Sequence, residues 1–271
     1  MYFEFAGRAM WSLAAALLLS VAAVPAEASS PPCRTQQNLI GLGATLPHVA
    51  HRIDAGQAVT IVAIGSSSTA GAGASSPALN YPSRLAVELQ QLFPKARFNV
   101  INQGINGEEV PDMLRRFDTA VIANKPDLVL WQLGTNSLIR DHEMDDRGAS
   151  IRAGLDKIRK AGADAILIDP QYAPKVIAKP LAPKMVDFIA EVSKAENVGL
   201  FRRFDVMKHW SEIEGIPFDA FVIADGLHMN DWGYGCMAHS LGVAIADTVK
   251  RPIVAAKAVT PVAPTPTQFG P

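Results

Sequence analysis

Neither sign of charge dominates this 271-residue sequence, in which 25 Lys and Arg residues stand against 26 Asp and Glu residues. Proteins that bind nucleic acids or anionic membranes through bulk charge carry a basic excess. We therefore expect neither partner here, and we expect a substrate that is not selected by bulk charge. Nothing in the sequence indicates an oligomeric state.

Cysteine is scarce as well, because Cys33 and Cys236 are the only two in the chain. They allow either one disulfide or two buried free thiols. A disulfide would tie the N-terminal segment to the C-terminal helix across a very long loop. In the chain-entropy model, such a bond stabilises the fold by at most about 5 kcal/mol.

The N-terminal apolar run, Ala9–Val24, is short for a membrane span, which needs roughly 20 residues. It follows the basic residue Arg8 and precedes an A-x-A site at Ala26-Glu27-Ala28. This order predicts a cleaved signal peptide at 1–28 rather than an uncleaved anchor. The protein is then exported, either to a periplasm or out of the cell, where a disulfide persists.

After cleavage about 240 residues remain, a length that suits one α/β domain. We predict an N-terminal arm at 29–57 with one short helix around Gln36 to Leu46. The domain itself follows at 58–252. The last segment, 253–271, is rich in proline and predicts a disordered tail.

Short β-rich apolar runs alternate with segments of helical period throughout the domain, which indicates a parallel sheet covered on both faces. The predicted fold class is α/β, a flavodoxin-like three-layer α/β/α sandwich with a mostly parallel sheet. Ligands of such sheets bind beyond the carboxyl ends of the strands. The predicted strands are Val59–Ile64, Phe98–Asn102, Leu128–Gln132, Ala165–Ile168 and Gly199–Phe201, and the predicted helices are Pro82–Phe93, Val110–Ala120, Ala149–Ala161, Ala182–Glu196 and Asp231 to about Val249.

Serines and glycines fill the segment after the first strand, Gly65–Gly73. Glycine lets the backbone turn tightly, and a serine at such a turn can expose its hydroxyl beside main-chain N–H donors, as a nucleophile requires. A helix N-cap in a Ser/Gly-rich loop is the alternative. A phosphate-binding loop is set aside, because no Lys follows the glycines.

Three further segments place polar groups where they can join that serine. Asn102–Gly107 follows the second strand and offers a glycine N–H to a developing oxyanion, and Asn136 follows the third strand with an amide donor. Near the C-terminus, Asp225 and His228 are three residues apart, and a carboxylate can fix the tautomer of a histidine base. Each segment alone also fits an ordinary turn.

Together and in this order, the four segments resemble the sequence blocks of the SGNH/GDSL hydrolases, a family of esterases, over about Val59 to Val249. The G-D-S-[LI]-T block resembles Gly65-Ser66-Ser67-Ser68-Thr69, the glycine block resembles Asn102-Gln103-Gly104, the G-x-N-D block resembles Gly134-Thr135-Asn136-Ser137, and the D-x-x-H block resembles Asp225-Gly226-Leu227-His228.

The resemblance implies a serine hydrolase acting on ester bonds, with Ser67 as the nucleophile, His228 as the base and Asp225 as the carboxylate that orients it. It also implies an oxyanion hole made of the Ser67 and Gly104 backbone N–H groups and the Asn136 amide. No metal ion or organic cofactor is implied.

Two positions depart from the family pattern, because Ser66 and Ser137 stand where the family has Asp. Neither is a triad member, although the adjacent Ser66, Ser67 and Ser68 leave a one-residue shift of the nucleophile open. Members of the family act on acetylated saccharides, short-chain esters and lipids, and export favours an extracytoplasmic ester. We expect an O-acetyl group on an envelope or extracellular polysaccharide. An O-acyltransferase with the same triad and a catalytically silent polysaccharide-binding protein are the alternatives.

Overall fold

The computed structural model describes residues 31–34, 36–142 and 147–250. Five strands in this part of the chain pair in parallel in the order β2-β1-β3-β4-β5. The chain runs from β1 to β2 on one side and then returns to β3 on the other, so the strand order reverses at β1, where ligands of such sheets bind. The strands are β1 (Ala58–Gly65), β2 (Arg97–Gly104), β3 (Leu128–Gln132), β4 (Asp164–Ile168) and β5 (Gly199–Phe201).

Helices fill most of the connections between these strands. The helices of the described residues are α1 (Pro47–Asp54), α2 (Ser67–Ala70), α3 (Tyr81–Leu92), α4 (Val110–Arg115), α5 (Phe117–Ala120), α6 (Thr135–Ile139), α7 (Arg147–Lys160), α8 (Pro174–Ile177), α9 (Ala182–Glu196), α10 (Arg203–Glu212) and α11 (Asp231–Lys250). Short 3-10 turns lie at Pro77–Leu79, Ile122–Asn124 and Phe218–Ala220.

Two hydrophobic cores lie on the two faces of the sheet, because successive strand residues point to opposite sides. Ile61 and Ala63 of β1 face a core shared with α1, α3, α10 and α11, whereas Val62 and Ile64 face one shared with α4, α5, α7 and α9. The predicted three-layer α/β/α fold is confirmed. None of the helices described here has the length and apolarity to cross a bilayer.

The N-terminal arm differs from its prediction. The expected helix around Gln36 to Leu46 is wrong, because the helix of this segment is α1, which begins at Pro47. Gly43 has a positive φ of 74°, which interrupts a helix, and a proline is tolerated at the first helical position. The arm adds Ile40, Leu42 and Leu46 to one core. The predicted signal peptide, 1–28, and the predicted tail, 253–271, lie outside the described residues.

Two other helix predictions need correction. The single helix predicted at Val110–Ala120 is divided into α4 and α5 at Arg116, whose guanidinium binds the Glu108 carboxylate and the Gln103 carbonyl. Helix α10 was not predicted, because its sequence mixes charged and apolar residues. By contrast, β3, β5 and α9 have the predicted bounds.

A disulfide joins Cys33 to Cys236 over 203 positions of sequence, which is one of the two alternatives that the sequence left open. The Trp232 indole N–H also donates to the Pro31 carbonyl at 2.7 Å. Both contacts fasten the arm to the first turns of α11. Helix α11 begins three residues after His228, so the arm supports the segment that carries two of the predicted site residues.

Candidate active site

The predicted nucleophile, Ser67, lies at the first residue of α2, directly beyond the end of β1. Ser67 is 8 % exposed, and its Oγ lies 2.8 Å from Nε2 of His228. The neighbouring Ser66 instead turns inward and donates through its backbone N–H and its hydroxyl to Oε1 of Gln132, at 2.8 and 2.9 Å. Of these two serines, Ser67 is therefore the one that faces the histidine.

A tight loop before α11 holds Asp225 and His228 together. The Asp225 carboxylate accepts the backbone N–H groups of Leu227 and His228 at 2.9 and 3.0 Å, and its other oxygen lies 2.5 Å from Nδ1 of His228. An antiparallel bridge between Val222 and Met229 closes the base of the loop. The structure thus brings Ser67, His228 and Asp225 into one hydrogen-bonded row across 161 positions of sequence.

The charge of Asp225 determines which imidazole nitrogen carries the proton. Burial alone would raise the pKa of this carboxyl, but the hydrogen bonds from the His228 side chain and from the backbone N–H groups of His228 and Leu227 outweigh it and lower the pKa. An ionised carboxylate only accepts hydrogen bonds, so Nδ1 of His228 must carry a hydrogen. Nε2 is then free to accept the Ser67 hydroxyl proton.

Gly104 is not placed to donate its backbone N–H to an oxyanion, which is the role that the family resemblance implied. Its backbone N–H donates to Oδ1 of Asn102 at 2.9 Å, and Nδ2 of Asn102 donates in turn to the Thr69 carbonyl at 2.7 Å. A Cβ on Gly104 would lie 2.1 Å from the Ala70 backbone nitrogen. The glycine is therefore required for the close approach of α2 to β2, and its N–H is already used inside the protein.

Gly107, the second glycine of the segment Asn102–Gly107, has the properties expected of an oxyanion donor. Gly107 has a φ of 80°, which favours glycine, and no described residue accepts a hydrogen bond from its N–H. The next residue, Glu108, accepts the Asn136 amide through its carbonyl at 2.9 Å. An amide has two N–H groups, so Asn136 keeps one for another acceptor. The sequence signal that could have identified Gly107 is the second glycine, three residues after Gly104.

Glu109 fastens the Gly107 loop to α6. Its carboxylate accepts from the Ser137 hydroxyl at 2.7 Å and from the Arg140 guanidinium at 2.7 Å, and it lies 3.0 Å from Nδ1 of His142. Burial would raise the pKa of Glu109, but these partners lower it. The ionised carboxylate thus holds the segments of Gly107 and Asn136 in a common arrangement. In the part of the chain described here, no group of three or more His, Cys, Asp or Glu side chains is placed to hold a metal ion.

Comparison by sequence identifies a matching family and a similar protein. The model of the non-GDSL lipase-like family matches residues 32–251. An acetylxylan esterase of Geobacillus stearothermophilus is 25% identical over 165 residues, which cover 56% of this chain and 74% of that protein.

Solved structures of esterases share the fold. A two-domain esterase active on acetylated mannans superimposes with a TM-score of 0.67 at 20% identity, over 84% of this chain and 60% of that one. A catalytic mutant of an acetylxylan esterase from Geobacillus stearothermophilus superimposes with a TM-score of 0.60 at 20% identity, over 69% of this chain and 94% of that one. The present chain thus spans 60% of the length of the two-domain enzyme.

These findings confirm the predicted enzyme class, a hydrolase of carboxylic esters. They confirm the predicted resemblance as far as a family of lipases and esterases, and the matching family is described as non-GDSL. The description accords with the sequence, in which Ser66 stands where a GDSL motif has Asp. Because the family model matches residues 32–251, the chain belongs to the non-GDSL lipase-like family.

Proposed function

We propose that this protein is an exported esterase that removes acetyl groups from saccharides through a Ser67-His228-Asp225 triad. The observation that carries the proposal is the row of hydrogen bonds in which Ser67 Oγ lies 2.8 Å from Nε2 of His228 and Nδ1 lies 2.5 Å from Asp225. Both distances are within the reach needed for proton transfer before any substrate is bound. The arrangement supports assignment to the SGNH type of hydrolase, with an altered first block.

In the first half-reaction, Nε2 of His228 takes the Ser67 proton as Oγ attacks the ester carbonyl carbon. Asp225 stabilises the imidazolium that forms. The carbonyl oxygen gains negative charge, and we assign three N–H donors to it: the Ser67 backbone, the Gly107 backbone and the second N–H of Asn136. The Ser67 N–H is available because the first N–H groups of a helix have no intrahelical acceptor.

Collapse of the tetrahedral intermediate releases the sugar hydroxyl, which takes the proton from His228. An acetyl group then remains on Ser67 Oγ. In the second half-reaction His228 removes a proton from water as the water oxygen attacks the acyl carbon. The tetrahedral intermediate collapses, His228 gives that proton to Ser67 Oγ, and acetic acid leaves. The steps require nucleophilic attack, proton transfer and electrostatic stabilisation, which these residues supply, so the proposed mechanism includes no metal or organic cofactor.

The choice of an acetylated saccharide is supported by the relatives, which are named as an acetylxylan esterase and an esterase active on acetylated mannans. Export is supported by the signal-like sequence 1–28 and by the disulfide between Cys33 and Cys236, since disulfides persist in oxidising compartments. A periplasmic and a secreted protein fit these observations equally.

The proposal is tested by hydrolysis of 4-nitrophenyl acetate and by acetate release from acetylated xylo-oligosaccharides. We expect Ser67→Ala and His228→Ala to abolish both activities and Ser66→Ala to keep activity within about tenfold of the wild type, because its backbone N–H still binds Gln132. Ser193→Ala is the matched control, because it removes a buried hydroxyl bonded to the Val198 carbonyl, away from the row of site residues.

The alternatives give different results in the same experiment. An acyltransferase would transfer the acetyl group to an added sugar acceptor faster than to water. A catalytically silent binding protein would retain saccharides but release no acetate, and a fluorophosphonate would not label Ser67. Either result would overturn the esterase proposal.

A further inference from the structure

A chain of buried polar side chains lies directly beneath the candidate active site. It begins at Gln132, the last residue of β3, which is 1% exposed. Its Oε1 accepts the backbone N–H and the hydroxyl of Ser66, and the Thr69 hydroxyl lies 3.5 Å away. Gln132 thus contacts residues on both sides of Ser67.

The chain continues from Gln132 toward the histidine. Nε2 of Gln132 donates to the Thr135 hydroxyl at 3.5 Å, and that hydroxyl donates to Oε1 of Gln171 at 2.9 Å. Nε2 of Gln171 donates to the Leu227 carbonyl at 3.3 Å. Leu227 immediately precedes His228, so the chain ends beside the base.

Each of these three side chains is almost wholly buried. Thr135 is 3% exposed and Gln171 is 1% exposed. Burial of an amide or hydroxyl is unfavourable unless it is hydrogen bonded, and apolar side chains of similar size would fill the same space without that requirement. Packing alone therefore does not account for two glutamines at the carboxyl ends of β3 and β4.

We infer that Gln132, Thr135 and Gln171 are positioning residues that set the geometry of the catalytic groups relative to one another. The inference rests on the proposed function. The chain contacts the residue before Ser67, includes the residue before Asn136 and contacts the residue before His228. Nucleophile, oxyanion donor and base are thereby tied to one hydrogen-bonded unit, which fixes distances that the backbone of three separate loops would otherwise leave adjustable.

The first test is Thr135→Val, which keeps the shape of the side chain and removes its hydroxyl. Both Gln132 and Gln171 then lose a partner, so we expect kcat to fall about 10-fold to 100-fold with KM within about twofold of the wild type, since small misplacements of reacting groups have effects of this size. Thr135→Ser keeps the hydroxyl and is expected to restore kcat. The control is Thr248→Val, because Thr248 is also buried and its hydroxyl donates to the Ala244 carbonyl in α11, outside the chain of Gln132, Thr135 and Gln171.

A second variant, Gln171→Met, breaks the chain at another link. Because both substitutions interrupt the same unit, we expect Thr135→Val combined with Gln171→Met to reduce kcat hardly more than either alone. Multiplicative losses would show two independent effects and would count against a single network. If Thr135→Val does not fold, Gln171→Met alone is used to test whether kcat falls while KM stays close to that of the wild type.

A readout independent of activity separates this inference from the proposed function. The Nδ1 proton of His228, held against Asp225, is followed by proton and nitrogen NMR in the folded wild type, Thr135→Val and Thr248→Val proteins. We expect its resonance to shift or broaden in Thr135→Val and to stay unchanged in Thr248→Val. If the wild type hydrolyses no ester, this measurement still tests the network; if kcat and the resonance are both unchanged in Thr135→Val, the network is structural only and the inference is wrong.

Discussion

The substitution Gly104→Ala tests the close approach to β2 of α2, the helix that begins with Ser67. The added Cβ would lie 2.1 Å from the Ala70 nitrogen and 2.5 Å from the Thr69 carbonyl carbon, both of them backbone atoms of α2. Ordinary contact begins at 3.4 Å, so α2 must retreat by about 1.3 Å, the difference between the two distances. A helix of only four residues that begins with Ser67 cannot make this movement without shifting the Ser67 hydroxyl.

The expected loss of activity follows from that displacement. A misplacement of about 1 Å can reduce the rate about 100-fold, so we expect kcat of Gly104→Ala on 4-nitrophenyl acetate to fall by at least that factor. Overpacking of a tight contact also costs about 1–3 kcal/mol of stability, which lowers Tm by a few to about 10 °C for a domain of this size. Both quantities are measured on the same purified protein.

The control for this experiment is Gly41→Ala, because a Cβ at Gly41 meets no atom within 4 Å. That variant should match the wild type in kcat and Tm. If Gly104→Ala keeps kcat within about threefold of the wild type, the close approach does not position Ser67, and the reasoning from the 2.1 Å contact is refuted.

Three further predictions concern the carboxylate, the disulfide and the pH dependence of stability. Asp225→Asn should reduce kcat about 10⁴-fold with little change in Tm, because an amide no longer selects the Nδ1–H tautomer of His228; a loss below about tenfold would remove Asp225 from the triad. Cys33→Ser should lower the free energy of unfolding in urea by about 2–5 kcal/mol, since it opens a loop of 203 positions, and an unchanged value would contradict a stabilising bond. Burial raises the pKa of Asp164 to about 6 and that of Asp169 to about 7, so the folded protein binds protons that the unfolded chain releases. The free energy of unfolding should therefore decrease as pH rises from about 4 to about 7, and Asp164→Asn should make this decrease shallower; urea titrations at a series of pH values that show a rise over this interval would refute the assignment.

The two serines that depart from the GDSL pattern have partners suited to them. The Ser66 hydroxyl donates to Oε1 of Gln132, a bond that an ionised carboxylate at position 66 could not make because it has no hydrogen to donate. The Ser137 hydroxyl donates to Glu109, and an aspartate at position 137 would bring two negative charges together. Both serines therefore have acceptors that suit a hydroxyl at these positions.

Local sequence was sufficient for most of the fold. The strand Leu128–Gln132 and the helix Ala182–Glu196 have the predicted bounds because apolar runs and helical periodicity are local properties. The helix Arg203–Glu212 was missed, since its mixture of charged and apolar residues becomes helical through packing of residues such as Trp210 in the core. Here tertiary contacts outweighed the weak local signal.

The sequence by itself determined which residues are available for the chemistry. Asp225 and His228, three residues apart, form their contacts within one loop, and two cysteines allow only one disulfide. Only the tertiary structure decided that Ser67 rather than Ser66 faces His228, and that the Gly104 N–H is used by Asn102 while the Gly107 N–H is available. The physical reason is that a hydrogen bond depends on where donors and acceptors from separate loops meet, and the spacing of residues along the chain does not contain that information.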